Sequence, residues 1–189
     1  MDRRKRFRFY SLKLCGIIFV VFLIQLFVSG FTDLFLLNDK APSQLWRFVT
    51  PIFLHGGFAH LLYNAFALAL FGSMLERIIG SRRFLLVFFI SGILANIVSV
   101  NFYDSSLGAS GAIFGIIGSL IVIRPLMMIF AFGFPMPIFI AGIVWALGDL
   151  IGFFYSTSGN TANIAHLSGM FLGLILGFVY RKKALRGIG

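Results

Sequence analysis

Ser110 lies in a glycine-rich stretch, Leu107 to Gly118, whose sequence is LGASGAIFGIIG. This stretch opens an apolar run that ends at Arg124. A serine among glycines at the start of an apolar helix either helps neighbouring helices to pack closely or acts as a nucleophile. Nucleophilic chemistry requires a base that removes the hydroxyl proton, and histidine suits that task near neutral pH. The two interpretations therefore differ in whether a histidine lies beside Ser110.

Three further polar residues fall at the same estimated depth as Ser110; they are His60, Asn64 and His166. At about 1.5 Å per helical residue, Ser110 and His166 lie roughly 21 and 22 Å from the charged ends of their helices. His60 and Asn64 lie roughly 24 and 18 Å from Glu76, near the end of theirs. In a hydrocarbon layer about 30 Å thick, these residues share one layer below the outer surface. We therefore expect one wet cavity there, in which Ser110 and His166 can form a hydrogen-bonded pair.

The same layer contains hydrogen-bond donors for the oxyanion that forms when a nucleophile attacks a carbonyl. His60 and Asn64 are four residues apart and share a helical face, and both side chains can donate. The backbone N–H of Ser110 is a third donor, because N–H groups at a helix start lack partners within the helix. Glycine repeats favour close approach of the helices that carry Ser110 and His166. These glycines are Gly111, Gly115, Gly118, Gly169, Gly173 and Gly177.

Each of these residues also has an ordinary structural interpretation. Ser110 taken alone is most often a packing residue in such a helix. A histidine inside the membrane can be a buried hydrogen-bonded group or part of a proton relay, and Asn64 can join two helices. We expect His55, in the loop before the second helix, to form structural hydrogen bonds, and Asp149 to lie at the membrane interface. Only the conjunction of these polar residues at one depth favours chemistry over packing.

The elements that must position these residues are membrane helices. The chain has 189 residues, a length typical of one domain, and its hydrophobic share is 59% with a mean hydropathy of +0.99. The fold class is therefore all-α and polytopic. Six helices are predicted, over residues 12–31, 58–79, 83–102, 110–124, 137–155 and 161–180. The fourth is too short to span a bilayer, so the backbone before it must dip into the membrane and line a cavity.

The net charge of +10 follows membrane topology and leaves little basic charge to form a surface for nucleic acid. Of the 16 Lys and Arg residues, all but Lys40 and Arg47 fall on the side of the two termini. The positive-inside rule therefore predicts cytoplasmic termini and an external cavity. We divide the chain into a basic segment, 1–13, a six-helix domain, 14–180, and a basic tail, 181–189. The single cysteine, Cys15, has no partner for a disulfide or a metal cluster.

At these residues the chain closely resembles the rhomboid family of intramembrane serine proteases. The resemblance spans roughly residues 46–177. Its motifs are, in chain order, Trp46-Arg47 in the loop, His60 to Asn64 in the second helix with Glu76-Arg77 at its end, Gly108 to Gly115 around Ser110, and Ala165-His166 followed by Gly169 and Gly173. Each motif is weak alone, but together, in this order and on these helices, they are highly specific.

The resemblance implies a dyad of Ser110 and His166 with no third, acidic member. It also implies an oxyanion site formed by His60, Asn64 and the Ser110 backbone, and a Phe114 ring packed against His166. The remaining residues that it assigns to the support of the site are Gly108, Gly111 and His55. The transmembrane segment of a substrate would enter laterally between the second and fifth helices.

The predicted function is that of a serine-type endopeptidase of the EC 3.4.21 class, which hydrolyses bonds in or near transmembrane segments of membrane-anchored proteins. The chemistry needs no metal and no cofactor; the expected partners are such substrates and lipid, with no nucleic acid. We expect the protein to lie in a prokaryotic cell membrane. One alternative is an inactive rhomboid-like protein that binds membrane clients, which would be expected to lack the serine or the histidine. The other is a proton-relaying channel, which would need polar groups extending to the inside.

Overall fold

The structure is a computed structural model that describes residues 7–155 and 162–185. Four α-helices of 18 to 23 residues and four shorter ones follow one another along these ranges, and the connecting segments contain short strands. The helices are α1 (Tyr10–Phe27), α2 (Phe31–Phe35), α3 (Phe58–Ala67), α4 (Ser73–Ile79), α5 (Ser81–Ser99), α6 (Ser110–Ile123), α7 (Ile138–Tyr155) and α8 (Asn163–Leu185). The strands are β1 (Leu37–Asn38), β2 (Ser105–Ser106), β3 (Met128–Ala131) and β4 (Phe134–Pro137).

Within these ranges, five helical segments are long and apolar enough to cross a membrane. One of them, Phe58–Ile79, combines α3 and α4, which a π-helical turn at Leu68–Gly72 joins. Helix α6, the fourth membrane helix in chain order, has only 14 residues and rises about 21 Å. The predicted all-α bundle with a short fourth membrane helix is therefore confirmed.

The helix ends differ from the predicted ones by a few residues. The first helix ends at Phe27 and not at residue 31, because Val28 takes an extended conformation with φ −113° and ψ 103°. The last helix continues to Leu185, past the predicted end at residue 180. Its predicted start, residue 161, and the outer parts of the basic terminal segments, residues 1–6 and 186–189, lie outside the described residues, so the boundaries of the segments 1–13 and 181–189 stay predictions.

Helix α6 forms the centre of the bundle, and α8 lies against it with backbone nearly touching backbone. A side chain at Gly169 would collide with the carbonyl of Gly111, and one at Gly173 would collide with that of Gly115. The hydroxyl of Ser119 on α6 donates a hydrogen bond to the Gly173 carbonyl at 2.8 Å. The close approach expected from the glycine repeats is thus confirmed, and it fixes the helices that carry Ser110 and His166.

The loop between α1 and α3 is held to the bundle by buried polar side chains. Arg47 is buried and donates to the carbonyls of Asp33 at 2.9 Å and Leu36 at 2.7 Å. Asn96 on α5 donates to the Phe48 carbonyl at 2.9 Å. Strand β1 of this loop pairs antiparallel with β2, which directly precedes α6. The loop therefore positions the backbone that leads into Ser110.

At the end of the bundle away from this loop, the buried carboxylate of Glu76 joins two helices. Glu76, on α4, accepts hydrogen bonds from the backbone N–H groups of Tyr10 and Ser11 at the start of α1. The hydroxyls of Ser11 and Ser81 donate to it as well. N–H groups at a helix start have no partner within the helix, and a negative charge there is favourable. Glu76 thereby joins α1 to the α4–α5 corner.

Between α6 and α7, where the sequence predicted only a connection between the fourth and fifth helices, the chain forms a β-hairpin. Strands β3 and β4 pair antiparallel, with Ala131 opposite Phe134. The turn residues Phe132 and Gly133 both have positive φ, the geometry that tight hairpin turns prefer. The Phe132 ring lies 5.8 Å from that of Trp145 on α7. The hairpin therefore folds back onto the bundle.

Candidate active site

All four residues that the depth argument selected line one cavity of about 970 Å³. They are Ser110, His166, His60 and Asn64. The cavity lies between α3 and α7 and is bounded by α6 and by the segment around β2. The structure thus brings these side chains together, although no hydrogen bond joins Ser110 to His166 among the described residues. Such bonds are often long or absent before a substrate is bound.

Ser110 is the first residue of α6, and the residues before it leave space around its hydroxyl. Gly108 has a φ of +125°, and its N–H donates to the Pro51 carbonyl at 2.9 Å. A methyl group at Gly108 would lie 2.9 Å from His60 Nε2 and 3.8 Å from Ser110 Oγ. Glycine is therefore required both by the backbone conformation and by the space between the serine and His60.

The ring of His60 is oriented so that a donor faces this space. Its Nδ1 accepts a long hydrogen bond, 3.4 Å, from the backbone N–H of Gly56. In a neutral imidazole the other nitrogen then carries the proton. Nε2, the nitrogen close to the Gly108 position, is therefore the donor. This tautomer is the one that an oxyanion near Ser110 would need.

Asn64 is buried one helical turn after His60, and its amide donates to the His60 carbonyl at 2.9 Å. A side-chain amide has a second N–H, so this bond leaves one donor available at the cavity wall. The same bond stabilises the helical turn that carries the His60 ring. Both residues line the cavity from one face of α3, as their spacing predicts.

His166 lies in the first turn of α8, and its ring is stacked on Phe114. The ring centroids are 4.4 Å apart and the planes differ by 4°. Phe114 follows Ser110 by one turn of α6, so the same helix supplies the serine and the surface on which the histidine rests. The contact implied by the family resemblance is confirmed.

The expectation that no carboxylate lies beside His166 was wrong. Asp149 Oδ1, on α7, lies 2.9 Å from His166 Nδ1. Asp149, expected at the membrane interface, is instead buried at 8% exposure in contact with a residue of the site. Its sequence distance from His166 hides the contact, because the two residues are on different helices. The signal that was available is depth: Asp149 lies roughly 18 Å along its helix from Pro137, within the layer of the other polar residues.

His55 and Gly111 support the site from outside the cavity. The His55 ring is 2% exposed and meets the His60 ring edge to face, with centroids 5.2 Å apart. Its backbone N–H donates to the Gln25 side chain at 3.0 Å, but neither ring nitrogen has a hydrogen-bond partner among the described residues, so the structural hydrogen bonding expected of the His55 side chain is not found. Burial, followed by the nearby His60 ring, lowers the pKa of His55 to about 4, while the Phe53 backbone carbonyl partly opposes the shift. Gly111 lets α6 pack against Ala95 of α5.

Comparison with known proteins places this arrangement in a family. The family model described as "Rhomboid domain" matches residues 42–183, about three quarters of the chain. The chain belongs to the rhomboid family. Its α6 and α8 carry the serine and histidine motifs by which the resemblance was first noted.

Three named relatives are similar to this rhomboid chain over different lengths. Rhomboid protease GluP of Bacillus subtilis is 48% identical over 85 residues, which are 44% of this chain and 17% of GluP. Rhomboid-type serine protease 2 of Emericella nidulans is 34% identical over 145 residues, 75% of this chain and 28% of that protein. Rhomboid protease GlpG of Haemophilus influenzae is 29% identical over 147 residues, 76% of this chain and 74% of GlpG.

The chain therefore spans well under half the length of the first two of these relatives and about three quarters of the third. The family, together with the five long apolar helices, makes the protein an integral membrane protein.

Proposed function

We propose that the protein is an intramembrane serine endopeptidase in which Ser110 is the nucleophile and His166 the general base. The observation that carries the proposal is their common cavity: Ser110 begins a short helix there, and His166 reaches the same wall from α8. Named relatives are rhomboid proteases or a rhomboid-type serine protease, which agrees with this assignment.

In the proposed reaction, Ser110 Oγ attacks the carbonyl carbon of the scissile bond while its proton passes to His166 Nε2. The tetrahedral intermediate then collapses, the C–N bond breaks and the imidazolium returns a proton to the leaving amine. A water molecule attacks the remaining ester with His166 again as the base, which releases the new carboxyl terminus and restores the serine. No redox step and no second substrate besides water are involved.

The oxyanion of the intermediate would be stabilised by donors that are already oriented. His60 Nε2 carries the proton in the tautomer set by Gly56 and faces the space beside Gly108. The spare N–H of Asn64 and the backbone N–H of Ser110, which as the first residue of α6 has no partner within its own helix, complete the set. Donors fixed in advance stabilise developing charge without reorganisation, so they favour the transition state over the bound substrate.

We propose membrane-anchored proteins as substrates, entering from the lipid between α3 and α7. The lipid-facing side chains of α3 support this route, because Tyr63 is 77% exposed, Phe66 is 68% exposed, and both also line the cavity. Trp145 of α7 lines it from the other side. An apolar segment that leaves the bilayer here would reach Ser110 without crossing a charged surface. With cytoplasmic termini, as the charge distribution predicts, the cavity would open to the external side.

Cleavage assays with matched serine variants test the proposal. Parent protein, Ser110→Ala and Ser105→Ala would be reconstituted in liposomes with a panel of single-span model substrates. Ser105 also lines the cavity, so its removal controls for loss of a hydroxyl from the same wall. We expect cleavage by the parent and by Ser105→Ala, and none by Ser110→Ala. Equal cleavage by parent and Ser110→Ala would reject Ser110 as the nucleophile, and binding without cleavage by the parent would favour the client-binding alternative.

A further inference from the structure

We propose that Asp149 is a positioning residue that holds His166 with the proton on Nδ1, so that Nε2 is free to accept the proton of Ser110. The proposal rests on the function proposed above. It adds a third, acidic residue to the Ser110–His166 pair, from a helix that neither motif includes. The observation behind it is the 2.9 Å contact between Asp149 Oδ1 and His166 Nδ1.

The hydrogen-bonding capacity of the two groups determines where the proton lies. An ionised carboxylate only accepts, so Nδ1 of the ring must be the donor in this contact. In a neutral imidazole the lone pair is then on Nε2. That nitrogen is the one required for a general base acting on Ser110. A neutral amide at residue 149 would be able to donate to Nδ1 instead, and the proton of the ring would then move to Nε2.

Asp149 has no other evident reason to be buried. It is 8% exposed, and its second oxygen, Oδ2, has no hydrogen-bond partner among the described residues. The only ion-pair partner that these residues offer the carboxylate is His166. Burial of an unpaired charge is costly, so a carboxylate here is favourable only together with the ring it contacts. If the side chain at residue 149 served packing alone, an apolar side chain would make the protein more stable.

Helix packing brings the two side chains together at this level. A side chain at Gly152, one turn after Asp149, would lie 2.7 Å from Nδ2 of Asn163, one turn before His166. The missing side chain at Gly152 thus lets α7 approach the start of α8. The His166 ring is then held from two directions, by stacking on Phe114 and by the bond to Asp149. Stacking fixes the plane of the ring, and the bond fixes its rotation within that plane.

The first test reads the tautomer of His166 directly and does not depend on activity. The chain contains only three histidines, so imidazole ¹⁵N spectra of histidine-labelled protein in detergent can be assigned with His166→Ala and His60→Ala. At a pH where the ring is neutral, we expect His166 in the parent to carry its proton on Nδ1. In Asp149→Asn we expect a shift to the Nε2-protonated form. A parent His166 protonated on Nε2 would overturn the proposal, whether or not the protein cleaves anything.

The second test separates positioning from a structural role by kinetics. Asp149→Asn retains the size of the side chain, and we expect kcat to fall by between about tenfold and 10⁴-fold, the latter being the loss for the same change in a serine-protease triad. KM should stay within about twofold, because Asp149 does not contact substrate in this account. Asp104→Asn, which removes an exposed carboxylate on the same side of the protein, should leave both constants unchanged.

The outcomes distinguish this inference from the function on which it rests. Parent-like kcat and an unchanged tautomer in Asp149→Asn, with Ser110→Ala inactive, would reject the role of Asp149 and leave the protease proposal standing. Inactivity of the parent itself would reject the proposed function, while the tautomer measurement would still decide whether Asp149 orients the ring. A loss confined to protein yield or melting temperature, with kcat unchanged in the folded fraction, would make Asp149 a structural residue only.

Discussion

Gly108 and His60 lie so close that no side chain fits between them: a methyl group at residue 108 would be 2.9 Å from His60 Nε2. The φ of +125° at Gly108 excludes other residues for a second reason. The two requirements coincide at the place where the proposed oxyanion would form. Gly108 supplies no donor itself, but its small size and its conformation let the Ser110 backbone N–H and the His60 ring approach the same point.

Replacement of Gly108 by alanine should therefore displace His60 and impair catalysis. We expect kcat to fall on the order of 100-fold or more, the usual effect of losing one oxyanion donor. Gly57→Ala is the matched control, since a side chain there would meet nothing within 4 Å. Kinetics of both variants with one single-span substrate would check this, and unchanged kcat in Gly108→Ala would show that His60 need not occupy its present position.

Replacement of Gly173 should destabilise the contact between α6 and α8. Any side chain there collides with the Gly115 carbonyl, and the backbone cannot yield as a flexible side chain would. Forcing atoms into a packed interface costs about 1–3 kcal/mol or more. We expect Gly173→Ala to lower the thermal unfolding midpoint in detergent, whereas Gly148→Ala, which meets nothing within 4 Å, should not. Equal thermal midpoints for the two variants would mean that α6 and α8 can move apart at Gly173 without loss of stability.

The Glu76 carboxylate should contribute strongly to stability. Glu76→Gln keeps the shape but replaces an acceptor-only group by one whose N–H groups face the N–H donors of Tyr10 and Ser11. Hydrogen bonds to a charged group contribute about 1.5–3 kcal/mol, and at least one would be lost. Denaturant unfolding of this variant should show a loss of about 2 kcal/mol, against almost none for the exposed Asp39→Asn. A stable Glu76→Gln protein would contradict the assignment of this carboxylate as the anchor of α1.

The pH dependence of stability should contain a contribution from His55. Its pKa is about 4 in the folded protein against an ordinary value of 6.5, so the unfolded chain binds a proton over this range that the folded protein does not. Stability is therefore complete above about pH 6.5 and falls as the pH decreases toward 4, by about 3 kcal/mol in total.

The contribution of His55 is measured by comparing how the thermal midpoints of two proteins change with pH. Carboxylates titrate in the same window, so thermal midpoints of the parent and of His55→Gln would be followed together from pH 7 to pH 4. The difference between the two proteins should shrink or reverse as the pH falls, because the variant has no ring to protonate. Parallel curves would show that His55 titrates normally in the folded protein.

The parts of the fold that sequence reasoning predicted are those set by local pattern and depth. Membrane helices follow from apolar length, and the common cavity of Ser110, His60, Asn64 and His166 follows from counting along each helix. The α6–α8 contact follows from glycine spacing. All of these features follow from position along a helix, and thus from position along the membrane normal.

The features that were missed depend on position within the membrane plane. Whether Asp149 points at His166 depends on how α7 is rotated and where it packs, and neither is contained in its depth. The β3–β4 hairpin was missed for a local reason, because prolines obscured the alternation typical of strands, and Phe132 adopts a positive φ that its residue type does not predict. The Asn96 bond to the loop joins segments far apart in sequence.

Covalent labelling can show whether Ser110 is a nucleophile that His166 activates. Parent, Ser105→Ala and His166→Ala proteins in detergent would be treated with a fluorophosphonate, digested and mapped by mass spectrometry. We predict an adduct on Ser110 in the parent and in Ser105→Ala, and none, or labelling slower by orders of magnitude, in His166→Ala. Folded parent protein without an adduct at Ser110 would show that Ser110 is not the nucleophile, and equal labelling with and without His166 would show that His166 does not activate it.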